Sequence, residues 1–460
     1  MIPVISRHSQ RISVFGLGAS GLATAQALSS GGAVVSAWDD KLDRRANAVN
    51  ENIVLANPMA FDWSTQDALV LSPGVALSYP APHPVAAAAK AAGKPVIGDI
   101  ELLFENASEA KLIGVTGTNG KSTTSALIHH ILQSAGIPVQ IGGNFGPPAL
   151  SLKPVKTDDT IVLELSSYQL DLIENAAFDV SVFLNLTSDH LDRHRDMEEY
   201  AAAKKRIFQN SRETEQTAVI CVDDVHGNAI ATELSDRAGW NVIRVSASQQ
   251  LSDGVSVVDG ILTDRDGYRC DISEVETLSG PHNWQNAGTA WATARARGIA
   301  PDVIAIAFQN FPGLPHRLET ITTMGGIRFV NDSKATNSEA AAHALSSFDN
   351  IYWIAGGIAK VGDLAPTLPV LRRVRRAYLI GESAADLGKE LSRQGVSVSQ
   401  SGDLATALND AREDAIADKL KSSVILLSPA CSSFDQYPNF EERGDHFREL
   451  VLSLAIEGTA

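Results

Sequence analysis

Short unbroken apolar runs recur along the chain, each closed by a glycine- or serine-rich stretch and most followed by apolar residues at helical spacing. Such runs predict strands buried on both faces, and their alternation with helices predicts doubly wound α/β structure. Residues 12–15, 34–39, 68–71 and 94–97 are strands in this reading, with a helix from the glycine turn at 16–21 through about 30 and another over 85–92. Residues 112–115, 161–165 and 180–186 begin a second series, and 121–135 predicts a helix with Leu127, Ile128, Ile131, Leu132 and Ala135 on one face. A further helix is predicted over 197–210. From 218 to 270 the runs are short and alternating, and Asp259-Gly260 is a hairpin signal, so an antiparallel excursion is expected there. A helix of small residues over 282–297 and a Gly/Pro hinge at 313–317 follow. Strands at 327–330, 351–354, 377–380 and 424–427 then predict another doubly wound sheet.

The expected fold class is therefore α/β with three domains, in keeping with a length of 460 residues. Residues 1–107 read as a Rossmann-like domain. Residues 108–312 read as a P-loop ATPase-like, mostly parallel sheet with helices and the small antiparallel excursion, and 313–460 as a second Rossmann-like domain.

Three stretches carry chemistry. Gly114 to Thr124, GVTGTNGKSTT, lies between a strand and a helix, where unpaired N–H groups and the helix dipole converge. Lys121 adds an ammonium and Ser122 a hydroxyl that can reach Mg2+, so the turn reads as a triphosphate cradle. The strict P-loop pattern fails, with Val115 where a glycine is required. The second stretch, Gly16-Leu17-Gly18-Ala19-Ser20-Gly21 with Asp39 beyond it, matches a dinucleotide fingerprint; alone it points to an NAD-dependent oxidoreductase, to another nucleotide diphosphate, or to a bare turn. The third comprises two loops at strand ends: Glu164 inside the apolar run 161–165, and His190 after 180–186. A buried carboxylate needs a cation or hydrogen bonds. Spacing alone puts Lys204 and Lys205 on a solvated helix face.

A net charge of −16 argues against nucleic acid or anionic membrane as partners. Cys221, Cys270 and Cys431 are widely separated, which fits neither a disulfide framework nor a zinc site and suits a reducing compartment. No leader segment or membrane-spanning run is seen, so a cytoplasmic protein without membrane insertion is expected.

Taken together, TGTNGKST (116–123), ELSSYQL (164–170), NLTSDHLDRH (185–194), GPHNWQNA (280–287), GLPHR (313–317), NDSKATN (331–337) and SPACSSFDQYPNFEERG (428–444) resemble the Mur ligases, in order and nearly end to end. The resemblance implies an ATP-dependent amide ligase of peptidoglycan precursor synthesis, acting on UDP-N-acetylmuramoyl-L-alanine and D-glutamate, with ATP and Mg2+ at two sites, and a monomer. An Asp-Asn-Pro-Arg motif, usual in the diaminopimelate-adding relatives, is missing. A Mur-type ligase with another acceptor and a nucleotide-gated binding protein are the alternatives.

The resemblance also implies site residues. UDP-substrate contacts fall to Ala19, Ser20, Asp39, Gly74, Asn144 and His190. Lys41 stands where relatives often carry an arginine. ATP falls to Gly117, Thr118, Asn119, Gly120, Lys121, Ser122, Thr123, Asn283, Asn286, Arg317 and Asp332. D-glutamate falls to Thr336, Lys360, Ser433 and Phe440, and metal to Ser122, Glu164, His190 and Lys204. Lys121, His190, Lys204 and Lys334 are the implied catalytic residues, Lys204 as a carbamylated lysine.

Overall fold

The apolar runs form strands of three sheets in a computed structural model that describes residues 1–51, 53–190, 192–210, 215–359 and 364–457. Contacts divide the chain into two units, Met1–Phe311 and Pro312–Ala460.

The first unit holds two sheets. Strands β1 (Arg11–Phe15), β2 (Val34–Trp38), β3 (Ala68–Leu71) and β4 (Val96–Ile97) form a parallel sheet in the order β2-β1-β3-β4. The central sheet contains β5 (Lys111–Thr116), β6 (Val139–Gly143), β7 (Thr160–Glu164), β8 (Val180–Phe183), β9 (Gln216–Cys221), β10 (Trp240–Ser246), β11 (Val255–Val258), β12 (Ile261–Asp264) and β13 (Arg269–Asp271). Its order is β13-β12-β11-β10-β9-β8-β5-β7-β6.

The expected antiparallel excursion is smaller than the sequence pattern suggests. β9 and β10 continue the parallel sheet, with the helix Val225–Ser235 between them, and β11 also pairs parallel to β10. Only the pairings β11–β12 and β12–β13 are antiparallel, the first turning at Asp259-Gly260 as expected. The physical reason lies in helix Val225–Ser235: Ile230, Ala231 and Leu234 bury one face on the sheet, making a parallel crossover possible where short runs alone suggested hairpins.

The two sheets of this unit share one apolar core, in which Ile100, Leu102 and Leu103 pack with Leu150, Leu152 and Phe178. Glu101, 1% exposed, fastens them further. Its carboxylate accepts hydrogen bonds from the backbone N–H groups of Glu174 (2.8 Å), Asn175 (2.9 Å) and Ala176 (3.0 Å) and from Asn175 Nδ2 (3.1 Å). A buried charge surrounded by donors in this way is satisfied without a counter-ion.

Helix Pro281–Ala296 crosses the central sheet through small residues. A Cβ on Gly288 would lie 3.0 Å from side-chain carbons of Val245 and Val257, so the helix lies close on β10 and β11 and carries Asn286 to the phosphate loop.

The second unit has one six-stranded sheet of β14 (Glu319–Met324), β15 (Ile327–Asn331), β16 (Ile351–Gly356), β17 (Val374–Ile380), β18 (Ser397–Gly402) and β19 (Ser423–Leu427). The order is β14-β15-β19-β16-β17-β18, with only β14 antiparallel. The polar segments after β15, β19 and β16 therefore leave the same edge of three neighbouring parallel strands.

Candidate active site

At the end of β5 the chain turns through Gly117 to Gly120 into the helix Lys121–Ser134, which buries Leu127, Ile128, Ile131 and Leu132. Gly120 has φ 83°, and a Cβ there would lie 2.3 Å from Asn286 Oδ1, so both conformation and space require glycine. Thr124 Oγ1 donates to that same oxygen at 3.1 Å, and Asn286 Nδ2 donates to Asn283 Oδ1 at 3.3 Å. Opposite, Asn119 N donates to Asn185 Oδ1 at 2.8 Å, and Thr118 Oγ1 meets Tyr200 Oη at 3.3 Å. Lys121 Nζ arches over the turn and donates to the carbonyls of Gly117 (3.0 Å) and Thr118 (2.8 Å). Ser122 is buried and Thr123 half-buried in the first helical turn.

Glu164 ends β7 beside this loop and is 2% exposed. Asn144 Nδ2 donates to its Oε1 at 2.6 Å, whereas Oε2 is buried with no hydrogen-bond partner. Asn144, expected at the UDP substrate, thus stands beside Glu164. An orphaned carboxylate oxygen costs several kcal/mol unless a cation meets it, by roughly the penalty for a buried unpaired charge. Among the described residues no group of three or more His, Cys, Asp or Glu side chains forms a cage. Replacing Glu164 by Gln is expected to raise the half-saturating Mg2+ concentration roughly tenfold or more, measured as Mg2+-dependent phosphate release.

Lys204 is not on the solvated face that spacing suggests. It is 1% exposed, lying on the inward side of helix Met197–Lys205 with Tyr200 and Ala203. Its Nζ donates to the Gly117 carbonyl at 2.8 Å and sits 4.7 Å from the Tyr200 ring centroid. Burial, then repulsion from the Lys121 ammonium, pushes the Lys204 amine well below its ordinary range against the pull of Asp189 and Glu164. An amine so placed is readily neutral and therefore nucleophilic. Lys205 does follow the spacing and pairs with Glu233 at 2.6 Å.

ELSSYQL folds as a capped turn. Ser166 Oγ accepts from Gln169 N while Gln169 Oε1 accepts from Ser166 N, a reciprocal capping box that projects Tyr168. Tyr168 Oη meets His190 Nδ1 at 2.8 Å, and its ring stacks on His194 at 5.7 Å. Partial burial holds His190 below its usual range, opposed by Asp189 and reinforced by Lys204 and Lys121. Arg193 lies 4.6 Å over Tyr168 and donates to the carbonyls of Gly74 (2.9 Å) and Val75 (3.0 Å), tying this loop to the first sheet. Tyr168, Arg193 and Tyr200 have no role that the sequence pattern reveals, although the first two lie inside ELSSYQL and NLTSDHLDRH and the third six residues beyond.

In the first sheet, Gly21 permits the helix Ala19–Ser30 to approach β1, since a Cβ there would lie 1.7 Å from the Gly16 carbonyl oxygen. Ala19 and Ser20 open that helix. Asp39 faces inward: Leu17 N (2.7 Å) and Lys41 N (2.9 Å) donate to its two oxygens, and Arg44 Nη1 is 3.2 Å away. Burial pushes its carboxyl up, but these donors outweigh burial and hold it below the usual range. Asp39 therefore shapes the glycine turn from behind, and Arg44, not singled out in the sequence, is the cation beside Gly18.

In the second unit, Asp332 follows β15 and is 7% exposed, with Ser428 Oγ donating to Oδ2 at 2.8 Å and Leu318 N to Oδ1 at 3.2 Å. Burial pushes its carboxyl up to about 7, with Ser428, Leu318 and Arg317 pulling the other way. Lys334 Nζ lies 3.9 Å over the Phe440 ring. Thr336 is half-buried on the same loop, and Ser433 is buried on the segment after β19. Lys360 lies outside the described residues.

Two family models match this chain: the Mur ligase middle domain over residues 115–294 and the Mur ligase glutamate ligase domain over 316–431. It is 45% identical to UDP-N-acetylmuramoylalanine–D-glutamate ligase of Phenylobacterium zucineum, over 99% of this chain and 98% of the relative. It is 46% identical to the ligase of the same name in Agrobacterium fabrum, over 99% and 97%. Among solved structures, UDP-N-acetylmuramate–alanine ligase of Thermotoga maritima matches with a TM-score of 0.57 at 16% identity, covering 97% of this chain and all of that one, which shows a shared fold. On the strength of its motifs, its family models and these full-length likenesses, the chain belongs to the Mur ligase family, in the branch of the UDP-N-acetylmuramoylalanine–D-glutamate ligases.

Proposed function

We propose that the protein joins D-glutamate to UDP-N-acetylmuramoyl-L-alanine at the expense of ATP, and that its phosphate loop, Glu164 and Lys204 form the reacting centre. The observation that carries the reading is the convergence on Gly117–Ser122 of a buried, readily neutralised amine and a carboxylate oxygen lacking any partner.

A carboxylate is a poor acyl donor because oxide would have to leave. Its oxygen first bonds to the ATP γ-phosphorus, the bond from that phosphorus to ADP breaks, and an acyl phosphate results. The amine of D-glutamate then attacks the carbonyl carbon, loses its proton, and the tetrahedral intermediate collapses with release of phosphate. Both steps gather negative charge, so positioning and charge neutralisation dominate.

Lys121 and the turn's N–H groups bind and orient the transferring phosphoryl group. Asn283 and Asn286, the latter beside the phosphate loop, are assigned to the nucleotide, and Arg317, Asp332 and Lys334 of the second unit to its ribose and phosphates. UDP lies against Ala19, Ser20, Arg44 and Gly74, with Asp39 supporting the turn. D-glutamate falls to Thr336, Lys360, Ser433 and Phe440 of the second unit.

Ser122 and Glu164 are assigned to one Mg2+ and His190 with Lys204 to another. The cations would neutralise the phosphoryl oxygens. If His190 Nδ1–H donates to the Tyr168 oxygen, Nε2 keeps the lone pair a metal needs. Lys204 would be an anionic ligand once its neutral amine had added to CO2, giving a carbamate and a proton. Three unpaired cysteines support a reducing, cytoplasmic setting, and among the described residues no helix is long and apolar enough to cross a membrane.

The test is phosphate release by the purified protein with ATP, Mg2+ and UDP-N-acetylmuramoyl-L-alanine, with each candidate amino acid in turn. Release confined to D-glutamate, with the matching mass gain, is expected. Release with L-lysine or meso-diaminopimelate instead would reassign the acceptor, and none with any acceptor would refute the ligase reading.

A further inference from the structure

Asp99 opens the helix Asp99–Asn106 after β4 and is 3% exposed. Its Oδ2 lies 2.6 Å from Ser20 Oγ, while Oδ1 is buried without a hydrogen-bond partner. Gln169, on the short helix Ser167–Leu170, turns its side-chain amide toward the same carboxyl and pulls it down, without reaching Oδ1 in hydrogen-bond geometry. The groups acting on this carboxyl are a hydroxyl and amides, with no cation among them. An ionised carboxylate here would keep a full charge in low dielectric with one oxygen bare. Burial accordingly pushes the Asp99 carboxyl up, and the Ser20 hydrogen bond does not reverse it.

The protonation state decides the polarity of Ser20. An ionised Asp99 only accepts, so the single Ser20 proton would be spent on it and the hydroxyl would show lone pairs to a ligand. That polarity repels an anion. A neutral Asp99 has an O–H that donates to Ser20 Oγ, leaving the Ser20 proton free. Ser20 is half-exposed in the first turn of helix Ala19–Ser30, whose N-cap Gly18 offers no side-chain cap to the first N–H groups. A donor hydroxyl there adds to the pull of those groups on an anion.

We propose that Asp99 donates a hydrogen bond to Ser20 Oγ and so turns the Ser20 hydroxyl into a donor for the diphosphate of the UDP-linked substrate. Asp99 is a positioning residue, acting through Ser20; the assignment rests on the reading that UDP lies against the glycine turn.

The experiment compares UDP and uridine binding by calorimetry in the full chain and in Ser20→Ala, Asp99→Ala, Asp99→Asn and the Ser20→Ala/Asp99→Ala double variant. Ser20→Ala and Asp99→Ala are each expected to weaken UDP about tenfold, the loss of one hydrogen bond to a charged group, and to leave uridine binding unchanged. The double variant loses no more than either single one, because the two residues act as one unit. Asp99→Asn stays within about threefold of the parent, since its amide N–H replaces the acid O–H. In turnover, Asp99→Ala raises KM for the UDP-linked substrate and leaves kcat unaltered. Infrared spectra at neutral pH show the carbonyl stretch of an un-ionised acid that Asp99→Asn lacks.

Additive losses, equal loss of uridine affinity, unchanged UDP binding in Asp99→Ala, or no un-ionised acid signal would overturn the proposal. Should Asp99→Ala fail to fold, Asp99→Asn and the infrared signal still decide it. A parent protein that binds UDP no more tightly than uridine would overturn the UDP placement itself, and the Asp99 role with it.

Discussion

Lys121→Ala should reduce phosphate release by roughly 10³-fold or more while thermal unfolding stays close to that of the parent. Loss of a positioned cation at a transferring phosphoryl group removes stabilisation that exists mainly in the transition state. The turn keeps other restraints when the bonds from the ammonium to the Gly117 and Thr118 carbonyls are lost: Asn119 N is held by Asn185 Oδ1, and Gly120 packs against Asn286. Turnover and ATP affinity, measured together, separate the possibilities. Weaker ATP binding with normal turnover at saturation would make Lys121 a docking residue, and unchanged values for both would remove the phosphate-loop assignment.

Lys204→Ala is expected to be nearly as damaging, for a different reason. The side chain reaches the loop from below, its Nζ 2.8 Å from the Gly117 carbonyl, in a place where an ammonium is poorly solvated and close to Lys121. A carbamate there would supply negative charge to a metal, and truncation would leave a cavity of the right shape for a small carboxylate. Added formate or acetate should therefore restore part of the activity in Lys204→Ala but not in Lys204→Met, where the side chain fills the space. Mass spectrometry of the native protein should show the added mass of CO2. Full activity in both variants would mean that the amine only packs beneath the loop.

Much of this arrangement was legible in the chain because the signals were local. The runs at 112–115 and 161–165 are apolar throughout, so their strands and the loops at their ends could be placed without tertiary information. The same logic failed where burial comes from elsewhere. Edge strands Glu319–Met324 and Ser397–Gly402 are largely polar, because only part of each is covered, and they carried no apolar run to detect. Lys204 follows three alanines at 201–203, so its helix read as a solvated one; Tyr200 four residues earlier, together with Ile207 and Phe208 beyond, was the available hint of an inward face. Asp39 was legible as the acid standing beyond the glycine turn, but the direction of its carboxylate depends on the backbone of Leu17, which spacing does not reveal. Asp99 stood in plain view after β4, yet only the coordinates put Ser20 beside it.

The Glu101 clamp has a consequence for how a long substrate is recognised. With the Glu101 carboxylate, on the helix after β4, gripped by three successive N–H groups of the segment between β7 and β8, the glycine turn at Ser20 and the phosphate loop at Lys121 are braced against each other. The first unit then works as a calliper with its jaws already set. With the uridine at the glycine turn, as proposed above, a nucleotide-sugar peptide whose reactive carboxylate stands at the matching distance would reach the loop without strain. One a residue shorter or longer must bend or leave one jaw empty, so length itself becomes a criterion of selection, independent of any contact with the amino acid being added.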